Sequence, residues 1–217
     1  YKILKNENIK ILNLTTFQRE FMINEGFNEK RLFVFPNLIK LEKFNKIESS
    51  SYILYAGRIS NEKGINELID TFSSLKTNYK LLIIGDGPEA KKLKNKKIKN
   101  VKFLGELTHQ ETLSYINNAK AVITNTKLYE GQPTLLCEAS LLKVPSIFPD
   151  NGGIKEFFPK DYELKFNHND KNSLRNILEN LESYDLVGLG EQNSLFTKKI
   201  LDNEKLSKKF IDIYDNV

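Results

Sequence analysis

The chain has 217 residues, 40% of them hydrophobic, which suffices for one ordinary core and an appendage but not for a second full domain. Its net charge of +5 would suit nucleic acid, yet the lysines fall in mixed, solvated segments such as residues 91–99, so we expect no nucleic-acid partner. The single cysteine, Cys137, excludes an internal disulfide and a cysteine metal cluster, and it favours a reducing compartment.

The sequence contains no run of about 18 apolar residues and no spacing typical of metal ligands. We therefore expect a cytoplasmic protein with no metal and no cofactor. The positive charge is compatible with weak attraction to phosphate-rich ligands, and with peripheral contact at the inner face of a membrane.

Residues 1–45 predict a short strand, a helix and a second strand. The first strand is expected at residues 9–14, the helix at residues 16–25 and the second strand at residues 31–37. The helix is predicted to end at Gly26, because glycine is common just after the last helical residue.

Short apolar strands alternate with helical patterns from residue 52 onward. The strands are predicted at residues 52–56, 79–84, 101–104, 121–124 and 144–148, and the helices at residues 64–75, 88–93, 108–117 and 133–142. Strands that are apolar on both faces and alternate with helices predict an α/β fold with a Rossmann-like parallel sheet covered on both faces. The loops that follow the strands then share one edge, and they carry Arg58, Gly85, Gly105, Asn125 and Glu130.

Two glutamates, Glu130 and Glu138, lie eight positions apart on either side of a predicted helix start at Pro133. The backbone amides of Thr134 and Leu135 are free at such a start and favour an anion such as a diphosphate. A carboxylate on each side of the anion could bind the hydroxyls of a sugar and of a ribose. Alternatively, both are ordinary solvated carboxylates, but a carboxylate within the apolar helix sequence is seldom found without a partner.

Arg58 and Lys63 lie five positions apart, directly after the predicted strand at residues 52–56. An arginine and a lysine beside a tight turn can clamp a phosphate, the first bidentately and the second as a point charge. The alternative is a solvated loop with ordinary surface charges. The glycines of residues 85–88 indicate first a turn before a helix, and alternatively a contact to the ligand.

The segment Thr108-His109-Gln110-Glu111 is typical of a capping box that starts a helix. His109 is therefore interpreted first as a surface residue of the first turn, and alternatively as a contact to a nucleotide.

The string Glu-Gly-x-Pro-x-x-x-x-Glu-Ala at residues 130–139 resembles the Glu-x7-Glu signature of the retaining glycosyltransferases of family four. That family has the GT-B architecture of two Rossmann-like domains. Four further motifs match in the right order, which makes the resemblance more specific than any one motif: residues 57–64, 85–88, 101–105 and 151–156.

The resemblance implies binding of a nucleotide diphosphate sugar and transfer of its glycosyl unit to a hydroxyl acceptor with retention of configuration. Arg58 and Lys63 would hold the diphosphate, Glu130 would orient the sugar and Glu138 would bind the ribose. The backbone near Glu106 and Leu107 would meet the base. The remaining donor-binding residues implied by the motifs are Gly57, Gly131, Thr134 and Leu135.

The resemblance also implies a division of the chain. Residues 1–45 would end an N-terminal, acceptor-binding domain and its hinge, residues 46–185 would bind the donor, and residues 186–217 would form the closing helices. We expect the chain to be the C-terminal half of a longer enzyme that acts in polysaccharide or glycolipid synthesis. Alone, it would bind donor weakly and transfer little, because the glycan or glycolipid acceptor site lies in the missing domain.

The first strand and helix would then lack their packing partner. Since an edge strand and an apolar stripe favour pairing, we expect residues 1–25 either to contact a second copy of the chain or to be less ordered than residues 52–148. The stripe consists of Ile9, Ile11, Leu12, Leu14, Phe17 and Phe21.

Two alternatives of other classes stay open: a nucleotide-sugar epimerase of GT-B architecture and a non-catalytic nucleotide-binding module. A transferase site requires the charged ends of four side chains to meet in one cleft, and a mere binding module does not. These are the side chains of Arg58, Lys63, Glu130 and Glu138.

Overall fold

A computed structural model describes residues 9–45, 51–96 and 98–215 of the chain, without the side chain of Lys171. Residues 1–25 are expected to contact a second copy of the chain or to be less ordered, and residues 1–8 of this segment lie outside the described residues. So does the predicted domain boundary at residue 46. The division of the chain into three parts therefore stays a prediction.

The N-terminal segment forms a strand, a helix and a strand, as the sequence predicts. Strand β1 (Ile11–Asn13) and strand β2 (Leu32–Val34) pair in parallel as a two-stranded sheet, with helix α1 (Thr16–Asn24) between them. Both strands are shorter than predicted. Thr15 caps α1, because its hydroxyl accepts a hydrogen bond from the amide of Gln18.

The remainder of the described chain is built on a six-stranded sheet in the order β5-β4-β3-β6-β7-β8. All of its pairings are parallel, which confirms the predicted α/β fold. The strands are β3 (Tyr52–Ala56), β4 (Lys80–Ile84), β5 (Val101–Gly105), β6 (Ala121–Ile123), β7 (Ser146–Pro149) and β8 (Lys165–Phe166).

Helices connect and cover these strands. They are α2 (Ile65–Ser74), α3 (Ala90–Lys94), α4 (His109–Asn118), α5 (Thr134–Leu141), α6 (Lys171–Glu179), α7 (Leu186–Ile200) and α8 (Asn203–Asp215). In the described part of the stretch expected to form the closing helices, residues 186–217, the chain forms two helices, α7 and α8. The break has a local cause, because the side chain of Asp202 accepts a hydrogen bond from the amide of Lys205 and so starts a new helix.

Helix α8 packs back against the N-terminal segment. The ring of Phe210 lies 5.8 Å from that of Phe35, in an edge-on arrangement. The ammonium of Lys10 donates a hydrogen bond to the carbonyl of Ile213. The described end of the chain is thus tied to its described beginning.

The core lies at the centre of the sheet, where both faces are covered. Ile53, Leu54, Ile83 and Val122 are at most 1% exposed, as expected for parallel strands beneath helices. The chain runs outward from β3 to β5 on one side and from β6 to β8 on the other. This change of direction creates a crevice between the carboxyl ends of β3 and β6, the usual place for a ligand in such sheets.

Backbones meet closely along this edge. The amide of Gly57 donates a 3.0 Å hydrogen bond to the carbonyl of Ile84, and a Cβ atom at Gly85 would lie 2.1 Å from the carbonyl oxygen of Gly57. Gly85 also has a φ of 124°, which favours glycine. The structural interpretation of the turn at residues 85–88 agrees with this packing.

Candidate functional site

A cavity of about 230 Å³ lies in the crevice between β3 and β6. Its wall comes from the loop after β3, the loop after β6 and the start of α5. The lining residues that carry chemistry are Gly57, Lys63, Glu130, Thr134 and Leu135.

The turn that carries Lys63 is fixed against the loop after β6. Gly64 follows with a φ of 65°, and a Cβ atom there would lie 1.9 Å from the carbonyl oxygen of Asn125. The side-chain amide of Asn125 donates a 2.8 Å hydrogen bond to the carbonyl of Gly64. Because only glycine fits this contact, the lysine is held at the mouth of the crevice.

Lys63 and Glu130 form an ion pair inside this cavity. The hydroxyl of Thr126 donates a second hydrogen bond, of 2.9 Å, to the same oxygen, Oε1 of Glu130. The side chains are 28% and 26% exposed, so a ligand can reach both. An ammonium has three donors and a carboxylate has two oxygens, so each group keeps capacity for a ligand while the pair persists.

The backbone of Glu130 is anchored by the glycines of residues 152 and 153. The amide of Gly153 donates a 2.8 Å hydrogen bond to the carbonyl of Glu130. Gly152 has a φ of 61°, and a Cβ atom there would lie 2.8 Å from the same carbonyl oxygen. The motif at residues 151–156 therefore positions Glu130 by close backbone packing.

Helix α5 begins at Thr134, one residue later than predicted. Pro133 occupies the N-cap position with a ψ of 85°, outside the helical region, and its carbonyl accepts the first-turn hydrogen bond from Cys137. The amides of Thr134 and Leu135 belong to the first turn, where no partner exists within a helix. Both residues line the cavity, so the helix presents its positive end there.

Arg58 lies at the same edge but does not line this cavity. It follows Gly57 and is exposed, and its carbonyl accepts a 2.8 Å hydrogen bond from the hydroxyl of Tyr55. Within the described ranges its guanidinium has no hydrogen bond or ion pair with another side chain. A hydrogen bond with Ser60 lowers the pKa of Glu62, and the charges of Arg58 and Lys63 lower that pKa further.

Glu138 lies a turn further into α5, away from Lys63 and Glu130. Its side chain is only 10% exposed, and its Oε1 lies 2.8 Å from Nε2 of His109. The structure therefore brings Lys63 and Glu130 together in one cavity, and it brings Glu138 to the loop after β5. That all four charged ends share one donor remains a prediction.

The pairing of His109 with Glu138 is absent from the sequence-based interpretation. The predicted capping box is confirmed: the Thr108 amide donates to the carboxylate of Glu111, and the Glu111 amide donates to the Thr108 hydroxyl. The box starts α4 at His109, whose ring contacts Glu138. The signal that could have found this contact is the buried carboxylate itself, which needs a partner.

His109 also faces the segment that connects β2 to β3. Its Nδ1 lies 3.6 Å from Oε1 of Glu42, and its side chain is 42% exposed. The hydrogen bond with Glu138 raises the pKa of His109 above its usual value, partial burial opposes this, and the charges of Glu138 and Glu42 add to the rise.

The loop predicted to meet a base follows β5. Glu106 is exposed and Leu107 is half-buried, directly after Gly105, whose carbonyl accepts a 2.7 Å hydrogen bond from the amide of Gly85. The loop thus lies at the same sheet edge as the cavity, on the side of His109. Its contact with a base stays a prediction.

Two further candidates give no site. In the described part of the chain, no group of three His, Cys, Asp or Glu side chains is arranged to hold a metal ion. Cys137 is buried, and burial raises the pKa of its thiol to about 12, so it is not a ready nucleophile.

The described helices include none with the length and apolar character needed to cross a membrane.

Comparison with known sequences gives a family match and several relatives. The profile of the family described as "Glycosyl transferases group 1" matches residues 38–187. TuaC of Bacillus subtilis, named as a teichuronic acid biosynthesis glycosyltransferase, is 33% identical over 51% of this chain and 28% of its own. The amylovoran biosynthesis glycosyltransferase AmsD of Erwinia amylovora is 28% identical over 64% of this chain and 42% of its own.

Solved structures match almost the whole chain. The crystal structure of Anabaena HepE with UDP and glucose has a TM-score of 0.85 at 14% identity, over 100% of this chain and 65% of that one. A Staphylococcus aureus TarM mutant in complex with UDP and alpha-GlcNAc-glycerol has a TM-score of 0.79 at 23% identity, over 98% of this chain and 45% of that one. At these identities the likeness supports the fold. The chain spans less than two thirds of each of these four relatives.

Proposed function

Since the chain belongs to the group 1 glycosyltransferases, we propose that it binds a nucleotide diphosphate sugar in the crevice between β3 and β6. In the whole protein, this donor gives its glycosyl unit, a hexose or a related sugar, to a hydroxyl acceptor with retention of configuration. The resemblance of residues 130–139 to the Glu-x7-Glu signature supports retention.

One observation carries this proposal: the Lys63–Glu130 pair and the positive end of α5 line the same cavity. A cation, a carboxylate and free helix amides suit a ligand with an anionic part next to a hydroxylated part. A nucleotide diphosphate sugar has both, joined by the bond that the reaction breaks.

The diphosphate lies between Lys63 and the amides of Thr134 and Leu135, with Arg58 at the rim. When the glycosyl bond breaks, negative charge grows on the departing phosphate. Fixed cations and amide dipoles stabilise that charge without reorganisation, so they lower the barrier to transfer. These groups bind the ground-state diphosphate as well, and only the extra stabilisation of the growing charge raises the rate.

Glu130 orients the transferred sugar. Its Oε1 is occupied by Lys63 and Thr126, so Oε2 is the oxygen that accepts hydrogen bonds from sugar hydroxyls. Glu138 binds the ribose hydroxyls, and the backbone near Glu106 and Leu107 meets the base. No side chain is assigned as a covalent nucleophile, because the resemblance implies displacement on the same face of the sugar.

UDP is the first choice of nucleotide, because it is bound in the structures of HepE and TarM. A glycan or glycolipid is the first choice of acceptor, because TuaC and AmsD are named for polysaccharide biosynthesis. The acceptor contacts of the whole protein are proposed to involve more than the residues of this chain.

Calorimetric titration with UDP-, GDP- and ADP-glucose tests the proposal. We expect saturable binding of one base, competition by the corresponding free nucleoside diphosphate, and no heat from glucose alone. Absence of binding for all three donors would overturn the donor-site assignment. Conversion of a bound donor into its epimer, followed by NMR without any acceptor, would instead favour the epimerase.

A further inference from the structure

His109 and Glu138 form a contact that the chemistry proposed for the site does not require. Glu138 is nearly buried on α5, and in the described part of the chain its hydrogen bond is the one between its Oε1 and Nε2 of His109. Oε2 of Glu138 has no hydrogen bond among the described residues. One oxygen is thus held and the other is available for a ligand.

We propose that His109 is a positioning residue that orients the carboxylate of Glu138 toward the ribose hydroxyls of the donor. The proposal rests on the function proposed above, because it presumes that Glu138 binds ribose. His109 itself does not contact the ribose in this proposal, and acts through Glu138.

The ring is well placed to hold a carboxylate. His109 is the first residue of α4, and the reciprocal hydrogen bonds between Thr108 and Glu111 fix the helix start. The carboxylate of Glu111 is turned toward Thr108, so it does not compete for the ring. A carboxylate held by a fixed donor loses fewer conformations when the ribose binds, which favours binding.

Glu42 provides a second anchor for the ring. Its Oε1 lies 3.6 Å from Nδ1 of His109, so the imidazole lies between two carboxylates, one from the connection and one from α5. At 3.6 Å the contact with Glu42 is an ion pair rather than a hydrogen bond, and it requires the protonated ring. The row of Glu42, His109 and Glu138 therefore links the segment between β2 and β3 to the ribose side of the site.

The test compares three variants with the wild-type chain by calorimetry with UDP, or with the guanosine or adenosine counterpart if the donor panel favours that base. His109→Ala should weaken binding about tenfold, the scale for one hydrogen bond to a charged group. His109→Gln should stay within about threefold of wild type, because its amide can donate to Glu138. His168→Ala is the matched control in an exposed turn, and it should leave binding unchanged.

A change of ligand separates orientation of Glu138 from a merely structural role. The 2′,3′-dideoxy form of the same nucleoside diphosphate lacks the hydroxyls that Glu138 would bind. Wild type and His109→Ala should therefore bind this analogue with equal affinity, within about twofold. An equal loss for both ligands, or no loss for either, would overturn the proposal while wild-type binding still supports the donor site. Failure of wild type to bind any nucleotide would overturn both.

Discussion

Gln132 holds Asn37 by both of its backbone polar groups. The side-chain oxygen of Gln132 accepts a 2.6 Å hydrogen bond from the amide of Asn37, and the side-chain amide donates a 2.9 Å hydrogen bond to its carbonyl. Gln132 is buried in the wall of the cavity, two residues after Glu130. The segment that leaves β2 is thus fixed directly to the loop of the proposed site.

Replacement of Gln132 by alanine should therefore destabilise the chain. It removes two hydrogen bonds and leaves a space in the cavity wall, and we expect a loss of about 2 kcal/mol in the free energy of unfolding. Urea denaturation measures the loss. Gln192→Ala, on an exposed position of α7, is the matched control and should change stability by less than about 0.5 kcal/mol. Equal stability of the two variants would show that the two hydrogen bonds between Gln132 and Asn37 contribute nothing to stability.

Lys63→Ala should weaken binding of the preferred nucleoside diphosphate by about 1.5 to 3 kcal/mol, the range for a lost charge-assisted contact. Stability should change little, because the Lys63–Glu130 pair is partly exposed and such pairs are worth at most about 1 kcal/mol. Calorimetry gives the first quantity and urea denaturation the second.

Lys76→Ala is the control for Lys63, because Lys76 is exposed and lies after α2, away from the cavity. It removes the same charge from the chain as a whole. If both variants lost the same affinity, the effect would come from net charge, and Lys63 would not contact the phosphate.

The fold from residue 52 onward could be predicted because local patterns encode it. Short apolar runs bounded by turn residues, such as residues 81–84 before the turn at residues 85–88, predict strands buried on both faces. The parallel connection then places the following loops at one edge. The site residues on those loops could be named for the same reason. Pro133 shows the limit, since the pattern finds the helix start to within one residue.

The contacts that position the site could not be predicted. His109 and Glu138 are 29 positions apart, Asn37 and Gln132 are 95 apart, and Thr16 and Glu156 are 140 apart. Each depends on how separate elements pack, which periodicity does not describe. Sequence reasoning could say only that Glu138 needs a partner.

Gly64→Ala should unfold or strongly destabilise the chain. The new Cβ atom would lie 1.9 Å from the carbonyl oxygen of Asn125, and the φ of 65° adds strain. We expect a loss of at least about 3 kcal/mol by thermal or urea unfolding. Gly105→Ala separates the two causes, because its φ is 79° but no atom lies within 4 Å of the new Cβ. It should cost only about 1 to 2 kcal/mol, and an equal cost at both positions would contradict the close contact.

The stabilisation by His109 should depend on pH in a definite direction. Because the pKa of His109 is raised in the folded chain, its ion pairs with Glu138 and Glu42 contribute fully below the usual pKa of histidine, about 6.5. That contribution is lost as the pH rises through the raised pKa. The difference in melting temperature between wild type and His109→Gln should thus be larger at about pH 5.5 than at about pH 9. A difference that does not change over this range would contradict the raised pKa.

Glu156 caps a helix that lies far from it in the sequence. Its Oε2 accepts a 2.7 Å hydrogen bond from the amide of Thr16, and its Oε1 accepts one of 2.8 Å from the amide of Phe17. The ring of Phe17 stacks on that of Tyr129, with centroids 5.6 Å apart. The carboxylate thus joins the segment after β7 to the start of α1, and the Phe17 ring joins α1 to the loop that carries Glu130.

Glu156→Ala should loosen α1 more than any other helix. It removes two hydrogen bonds and a negative charge at a positive helix end, together about 2 kcal/mol. Glu156→Gln keeps one acceptor oxygen and should lose about half as much.

Hydrogen exchange of the α1 amides measures the local effect, and Glu163→Ala, at an exposed position, is the control. Because α1 packs against the loop at residues 129–131, the variant should also weaken donor binding. If exchange in α1 stayed as slow as in wild type, Thr15 alone would suffice as the cap, and the carboxylate would have no structural role.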